Sequence, residues 1–166
     1  MRTVISVLLL LLSSAGTYAQ TPQIDHIDVV DYGIYTANTE SIEALPGTAA
    51  SDLAIRNDIR HVKTTRTVPA QQGMEFGFRY VVVGAPVGTV VPLHMVTIFP
   101  SPGLRNPATR QIKAQSEYDR SKTIGTTSYR SYVLDNGWEV VAGIWTFQIW
   151  YQGRKLAEQK FTVAKH

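Results

Sequence analysis

Histidine, carboxylate and hydroxyl side chains are the groups from which a catalytic or metal site would have to be built, because the chain has no cysteine. The four histidines are His26, His61, His94 and His166. No two of them have the spacing with which one strand or one helix presents a pair of metal ligands. His94 lies within an apolar segment, where we interpret it as a core or edge histidine. No metal and no cofactor is therefore predicted.

Two close pairs of carboxylates could in principle serve general acid–base chemistry on a glycoside, namely Glu117 with Asp119 and Asp25 with Asp28. Each pair is explained more simply as a polar strand face or a loop. The sequence also lacks the GxSxG turn of serine hydrolases and the glycine-rich motifs that cradle phosphates. No catalytic residue is predicted, and we expect the protein not to be an enzyme.

Aromatic side chains are the remaining candidates for binding, and all three tryptophans lie between residues 137 and 163. Trp145 alternates with large apolar residues and is assigned to the core. Trp150 has the opposite parity, and Trp138 follows a predicted turn. Together with Leu156 they are candidates for a partner-binding surface. The alternative is that they pack under a loop or at a sheet edge.

The same stretch predicts a β-hairpin that turns at Gln152-Gly153. A two-residue turn pairs Ile149 with Leu156 but sets Trp145 against Lys160, whereas a three-residue loop pairs Trp145 with Phe161 but sends Leu156 outward, since a shift of one residue moves every later side chain to the other face. We expect a β-bulge between Ala157 and Lys160 to let Leu156 and Phe161 both reach the core. Without that bulge, Leu156 would be exposed.

The whole chain has the pattern of an all-β protein. Strand-like segments and turn signals alternate at intervals of about 8–12 residues without a sustained helical period. We predict an antiparallel, immunoglobulin-like β-sandwich of about 7–9 strands and favour it over a closed barrel. Residues 36–58 are rich in small and polar residues and contain Pro46-Gly47. They are predicted to form a long loop after the first strand, a weak candidate for partner contact.

Several individual segments carry more specific expectations. Residues 24–35 are apolar on both parities, which predicts a strand that bends at a bulge. Residues 74–84 predict a core strand in which Gly77, between two phenylalanines, allows a neighbouring chain to approach closely. Residues 59–68 predict one half-exposed strand, and residues 90–100 predict a central strand covered on both faces. Residues 110–119 fit either a strand or a short helix.

The N-terminus predicts export. Arg2 is followed by the nine-residue apolar run of residues 4–12 and by small residues up to Ala19, which is the layout of a secretory signal peptide. The run is too short to span a membrane, so no stable membrane anchor is expected after cleavage. We predict a signal peptide over residues 1–19 and one β-sandwich domain over residues 20–166. Because an exported chain without cysteines is typical of bacteria, the expected location is periplasmic or secreted.

The charge pattern argues against nucleic acid as a partner. The formal net charge is only +3, and the basic residues are scattered. The tightest basic group contains Arg56, Arg60, Lys63 and Arg66, interrupted by Asp58. We interpret it as a solvated strand face rather than an anion site.

The pattern WExxxGxWxFxIxxxGRKLAEQxFxV, which begins at Trp138, resembles an uncharacterised bacterial family of exported domains, domain of unknown function 3859. The segments 31–35 and 76–80 are similar to that family as well, so the resemblance covers nearly the whole mature chain. Ala142 stands where a proline is expected. The resemblance implies a single secreted or periplasmic domain, and it implies no activity and no functional residues.

We therefore expect a non-enzymatic interaction module that binds another protein or a cell-envelope component, with an edge strand as the docking surface. The first alternative is a carbohydrate- or peptidoglycan-binding domain that uses Trp150 and neighbouring tyrosines. An enzyme of unrecognised type is the second alternative.

Overall fold

The computed structural model describes residues 21–165, and strands dominate them. The predicted signal peptide lies outside these residues. No helix within residues 21–165 is long and apolar enough to cross a membrane. Within the described range, one short 3-10 helix, Gly137–Glu139, accompanies eleven strands. The strands are β1 (Gln23–Ala44), β2 (Asp52–Lys63), β3 (Thr67–Pro69), β4 (Glu75–Ala85), β5 (Val90–Ile98), β6 (Leu104–Arg105), β7 (Ile112–Lys113), β8 (Gln115–Thr123), β9 (Thr127–Val133), β10 (Gly143–Tyr151) and β11 (Arg154–Ala164).

The strands form two large sheets that pack face to face. The first sheet has the order β2-β1-β4-β9 and the second the order β3-β11-β10-β5-β8, while β6 and β7 form a small separate ribbon. All pairs are antiparallel except β3 with β11. Eight strands have seven residues or more. The predicted antiparallel, immunoglobulin-like β-sandwich is confirmed.

Aromatic rings fill the space between the sheets. Phe76 of β4 packs edge-on against Trp145 and Phe147 of β10, with 5.7 Å between ring centroids in both pairs. Edge-to-face packing of this kind contributes beyond the burial of apolar area. The predicted core face of β4 is confirmed for Phe76, Phe78, Tyr80 and Val82, all fully buried.

The long loop predicted over residues 36–58 is wrong. Strand β1 continues to Ala44 and β2 begins at Asp52, so that only residues 45–51 form the turn. Residues 36–44 pair with residues 52–60 and not with β4, which makes this part a two-stranded hairpin. We call residues 36–60 the arm. The arm strands are held together by backbone hydrogen bonds. Such pairing needs no regular alternation of apolar residues, so it leaves no periodic pattern in the sequence.

The predicted position of the bulge in the terminal hairpin is also wrong. Gln152 and Gly153 form a two-residue turn with φ angles of 47° and 77°. The register then shifts between Ile149 and Trp150, which leaves Leu156 as the extra residue on β11. Because the bulge follows the turn at once, Phe161 faces the core opposite Trp145. Leu156 is half-buried and packs against the core.

Other segments differ from expectation in smaller ways. The strand predicted over residues 59–68 ends at Lys63 and resumes at Thr67. Strand β5 is central, as predicted, but it is not covered on both faces, since Val90 is 61% exposed. Residues 115–123 form a strand, which decides between the two alternatives. The predicted bulge in β1 is confirmed, with register shifts after Ile24 and after Val29.

The close approach predicted at Gly77 is confirmed and generates a test. A Cβ atom at Gly77 would overlap the backbone carbonyl of Arg130 on β9. We expect Gly77→Ala to lower the free energy of unfolding by about 1–3 kcal/mol, the usual cost of overpacking. The control is Gly137→Ala, because nothing lies within 4 Å of that added methyl group. Urea denaturation measures both changes, and equal stability of the two variants would contradict the packing described for β4 and β9.

Candidate ligand-binding cleft

The arm crosses from one sheet of the sandwich to the other. Its strands belong to the first sheet, but its turn contacts β7, β8 and the loop that follows β6. The backbone amide of Ala49 donates to Ser116 Oγ at 2.8 Å. Lys113 Nζ donates to the carbonyl oxygens of Pro46 and Thr48 at 2.8 and 2.9 Å. The arm therefore spans the side of the sandwich on which β9 and β8 are the last strands of their sheets.

A buried ion pair holds the base of the arm. The Arg56 guanidinium donates to both carboxylate oxygens of Glu75 on β4, at 3.2 and 2.7 Å. Glu75 is only 3% exposed and also accepts hydrogen bonds from Tyr129 Oη and Ser131 Oγ. Arg56 donates to the carbonyl of Ala37 as well. Since every oxygen of the carboxylate is paired, the buried charge is tolerated at this position.

A cleft lies between the arm and the strands β8 and β9. It has two chambers of about 390 and 470 Å³. These volumes are typical of sites for small molecules. We call the whole space the arm cleft. Both chambers are lined by Leu53, Ala54, Arg56, Tyr118 and Ser131.

The smaller chamber is cationic. It is lined by no carboxylate and by five cations, which are Arg56, Arg79, Arg120, Lys122 and Arg130. Three of the five are paired with carboxylates outside the lining, namely with Glu75, Asp31 and Glu43. Lys122 and Arg130 have no carboxylate within 4.0 Å among residues 21–165. Two positive charges of this chamber are therefore not neutralised by the protein.

Arg130 carries one of these charges into the interior. It is only 4% exposed and lies opposite Phe78, on the face of β9 that points towards the second sheet. Its Nη2 atom donates to Val96 O at 2.7 Å and to Thr97 Oγ1 at 2.9 Å. Its Nε atom has no hydrogen-bond partner within the described part of the chain. A buried donor without a partner and a buried charge without a counter-ion both cost free energy.

Lys122 carries the second charge. Burial lowers the pKa of its ammonium group, and the nearby guanidinium groups of Arg120 and Arg130 lower this pKa further. A lysine whose pKa falls for these reasons lies in a region of positive potential and low solvation. An anion in the cationic chamber would oppose this lowering of the pKa, because it favours the charged ammonium group.

The larger chamber is acidic. Its lining includes Asp52, Asp135 and Glu139. Burial raises the pKa of Glu139, although hydrogen bonds from Tyr132 Oη and the Asn136 amide act in the opposite direction. Burial is likewise the main cause of the raised pKa of Asp135. Within residues 21–165, no group of three His, Cys, Asp or Glu side chains could hold a metal ion.

The three residues predicted from the sequence as a partner-binding surface do not meet in one place. Trp150 lies on the outer face of the second sheet, half-buried, and its Nε1 atom donates to Gln148 Oε1 at 3.0 Å. Lys155 Nζ lies 6.0 Å from the centroid of its ring. Leu156 and Trp138 are half-buried and pack against the core. Trp138 lies in the 3-10 helix that precedes β10, whereas Trp150 is the second-to-last residue of β10. The two tryptophans therefore lie towards opposite ends of this strand.

The outer face near Trp150 also contains a polar cluster that the sequence analysis missed. His94 lies directly opposite Trp150 on one side and Asp119 on the other. Its Nδ1 and Nε2 atoms lie 2.8 Å from Asp119 and 3.5 Å from Glu117. All three cluster members are more than 40% exposed. The sequence analysis noted Glu117 and Asp119 as a close pair of carboxylates, but only the pairing of β5 with β8 shows that His94 lies beside them.

The sequence analysis named the segment 36–58 as a candidate for partner contact, and Leu53, Ala54 and Arg56 of that segment line both chambers, but it predicted no individual residue of the cleft. The interpretation of the basic group as a solvated face holds for the exposed Arg60, Lys63 and Arg66, but it is wrong for Arg56. Arg56 differs because the arm directs it onto Glu75. Arg130 gives a weak signal in the sequence, because it has the same parity as Tyr132 and Leu134, the side of the strand that faces the core.

The fold and the cleft together define an immunoglobulin-like β-sandwich with an arm across one open side. The chain belongs to the family described as Domain of unknown function (DUF3859), whose model matches residues 23–163. It is similar to an immunoglobulin-like protein from Pseudomonas aeruginosa that has a crystal structure, with 28% identity and a TM-score of 0.59. That similarity covers 90% of this chain and 100% of the other. No curated protein matches the sequence.

The ion pair at the base of the arm can be tested against an exposed ion pair of the same arm. Arg56→Leu leaves Glu75 buried without its cation, so we expect a loss of about 3 kcal/mol or more in the free energy of unfolding. Arg60→Leu removes a guanidinium that pairs with Asp58 but is 72% exposed. Its expected effect is within about 0.5 kcal/mol. Urea denaturation measures both, and a similar small effect of both substitutions would contradict a structural role for Arg56.

Proposed function

We propose that this protein is an exported, non-enzymatic binding module of the cell envelope and that the arm cleft receives its ligand. The observation that carries the proposal is the buried Arg130, a guanidinium without a carboxylate partner among residues 21–165 that lines a chamber of about 390 Å³. A protein interior tolerates such a group at a cost in stability. Binding of a complementary ligand would offset that cost.

The lining of the arm cleft supports binding rather than catalysis. The lining of the two chambers contains no histidine, the usual general base at neutral pH. Glu139, the buried carboxylate of the acidic chamber, is engaged by Tyr132 and Asn136. Fixed hydrogen bonds of this kind suit a structural role in the wall of a binding site.

The arm also favours the cleft over an edge strand as the docking surface. Strand addition needs free backbone groups along a sheet edge. The arm turn already contacts the edge of β8, where the Glu117 amide donates to the carbonyl of Gly47 at 3.4 Å. The export part of the proposal is supported by the charged and apolar layout of residues 1–19.

A photo-crosslinking experiment tests the proposal. The full chain is produced in bacterial cells with a benzophenone side chain in place of Leu53, which lines both chambers, or in place of Trp150 on the outer face. Val87, in a loop and 76% exposed, is the control position. We expect periplasmic protein that begins at Gln20 and an adduct of defined mass at Leu53, with background crosslinking at Val87.

Two results would contradict this proposal. Equal crosslinking at Leu53 and Val87 would mean that the cleft has no ligand of its own. A defined adduct at Trp150, with none at Leu53, would transfer the site to the outer face and favour the carbohydrate-binding alternative. That alternative has a weak basis in the structure, because Trp150 is accompanied there by His94, Asp119 and Lys155 rather than by tyrosines.

A further inference from the structure

We infer that the cationic chamber binds an anionic group, a carboxylate or a phosphate, carried on a small apolar body. This inference rests on the proposed function and specifies the ligand class. It follows from three features of the chamber, which are its uncompensated charge, its free hydrogen-bond donors and its apolar wall.

The charge requires an anion. Of the five cations in the lining, three are neutralised by carboxylates of the protein, and Lys122 and Arg130 are not. Because the chamber is partly closed off from water, screening of these two charges is weaker than on an open surface. The acidic groups Asp52, Asp135 and Glu139 line the other chamber and are absent from the lining of this one.

The free donors determine how the anion would be held. The Nη1 and Nη2 atoms of Arg130 already donate to Tyr118 Oη, Val96 O and Thr97 Oγ1. Its Nε–H is enclosed by the protein, so Arg130 would act on an anion through its positive charge. The ammonium group of Lys122 has three protons to donate. A carboxylate or phosphate oxygen can accept from Lys122 and is also attracted by the charge of Arg130, whereas a neutral hydroxyl gains less from either.

The apolar wall determines what would carry the anion. The arm and β5 contribute Leu53, Ile55, Ile59 and Met95 to the lining of the same chamber, and the rings of Tyr118 and Tyr129 complete it. A free inorganic ion would leave this surface without a partner. An anion on a short alkyl or aromatic body would cover it, and the volume of about 390 Å³ is suited to a small molecule or a terminal group.

The test uses three probes with the same alkyl chain, namely hexanoate, hexyl phosphate and 1-hexanol, at constant ionic strength. Isothermal titration of the purified protein measures their affinities. We expect at least one anion to bind about tenfold or more tightly than 1-hexanol, as the gain of one charge-assisted hydrogen bond implies. Whichever of hexanoate and hexyl phosphate binds more tightly identifies the head group, and either order supports the inference.

Matched variants locate the site. Lys122→Gln should weaken anion binding about tenfold, because it removes one positive charge from the chamber. Lys63→Gln removes the same charge from an exposed position of β2 outside the cleft and should leave the affinity within about twofold. Arg130→Met tests the buried guanidinium. Should that variant not fold, Lys122→Gln remains sufficient, since Lys122 is only half-buried.

Three outcomes would overturn the inference. They are equal affinities for 1-hexanol and both anions, equal losses in Lys63→Gln and Lys122→Gln, and binding of inorganic phosphate as tight as that of hexyl phosphate. The failure of the inference is distinguishable from the failure of the proposed function. A crosslinked neutral ligand at Leu53, together with no preference for anions, would overturn the anion assignment and leave the binding module intact.

Discussion

The ion pair between Arg56 and Glu75 is the interaction on which the arm and its cleft depend. Glu75 is the first residue of β4, next to the core residue Phe76, and it is almost fully buried. A carboxylate in that position requires partners, and the structure supplies Tyr129, Ser131 and Arg56. The first two belong to the sandwich, and the third comes from the arm. The burial of one acidic group thus fixes the base of the arm.

The placement of the arm has an electrostatic consequence. The arm closes off a space beside Arg130, a guanidinium that points between the sheets and has no carboxylate partner among the described residues. Burial reduces the solvation of Lys122, which lines this space, and thereby lowers the pKa of its ammonium group. A charge distribution of this kind is costly in a purely structural element. It is the expected arrangement where a ligand completes the pairing.

The sandwich could be predicted from the sequence because large apolar residues alternate strictly with other residues along core strands such as β4 and β10. Phe76, Phe78, Trp145 and Phe147 were assigned to the core correctly from parity alone. The terminal hairpin shows where parity becomes insufficient. The alternation required a bulge, but only the geometry of the two-residue turn placed it at Leu156.

The cleft could not be predicted from local patterns. The apolar residues of the arm strands do not alternate over any length, so the pairing of these strands leaves no periodic signal and the segment resembles a loop. Arg56 was grouped with Arg60 and Lys63 because they are neighbours in sequence, whereas its role depends on Glu75, nineteen residues away. Similarly, Arg130 of β9 and Lys122 of β8 line one chamber together with residues of the arm. Long-range contacts of this type have no signature in a single sequence.

The central claim, that the arm rests in a fixed position across the sandwich, can be measured directly because the chain has no cysteine. Spin labels on Ser41→Cys in the arm and Ser121→Cys in β8, both exposed positions, report their separation by double electron–electron resonance. A single narrow distance distribution in the otherwise unaltered protein, which broadens when Arg56→Leu is added, is the predicted result. A broad distribution that Arg56→Leu does not change would contradict the account.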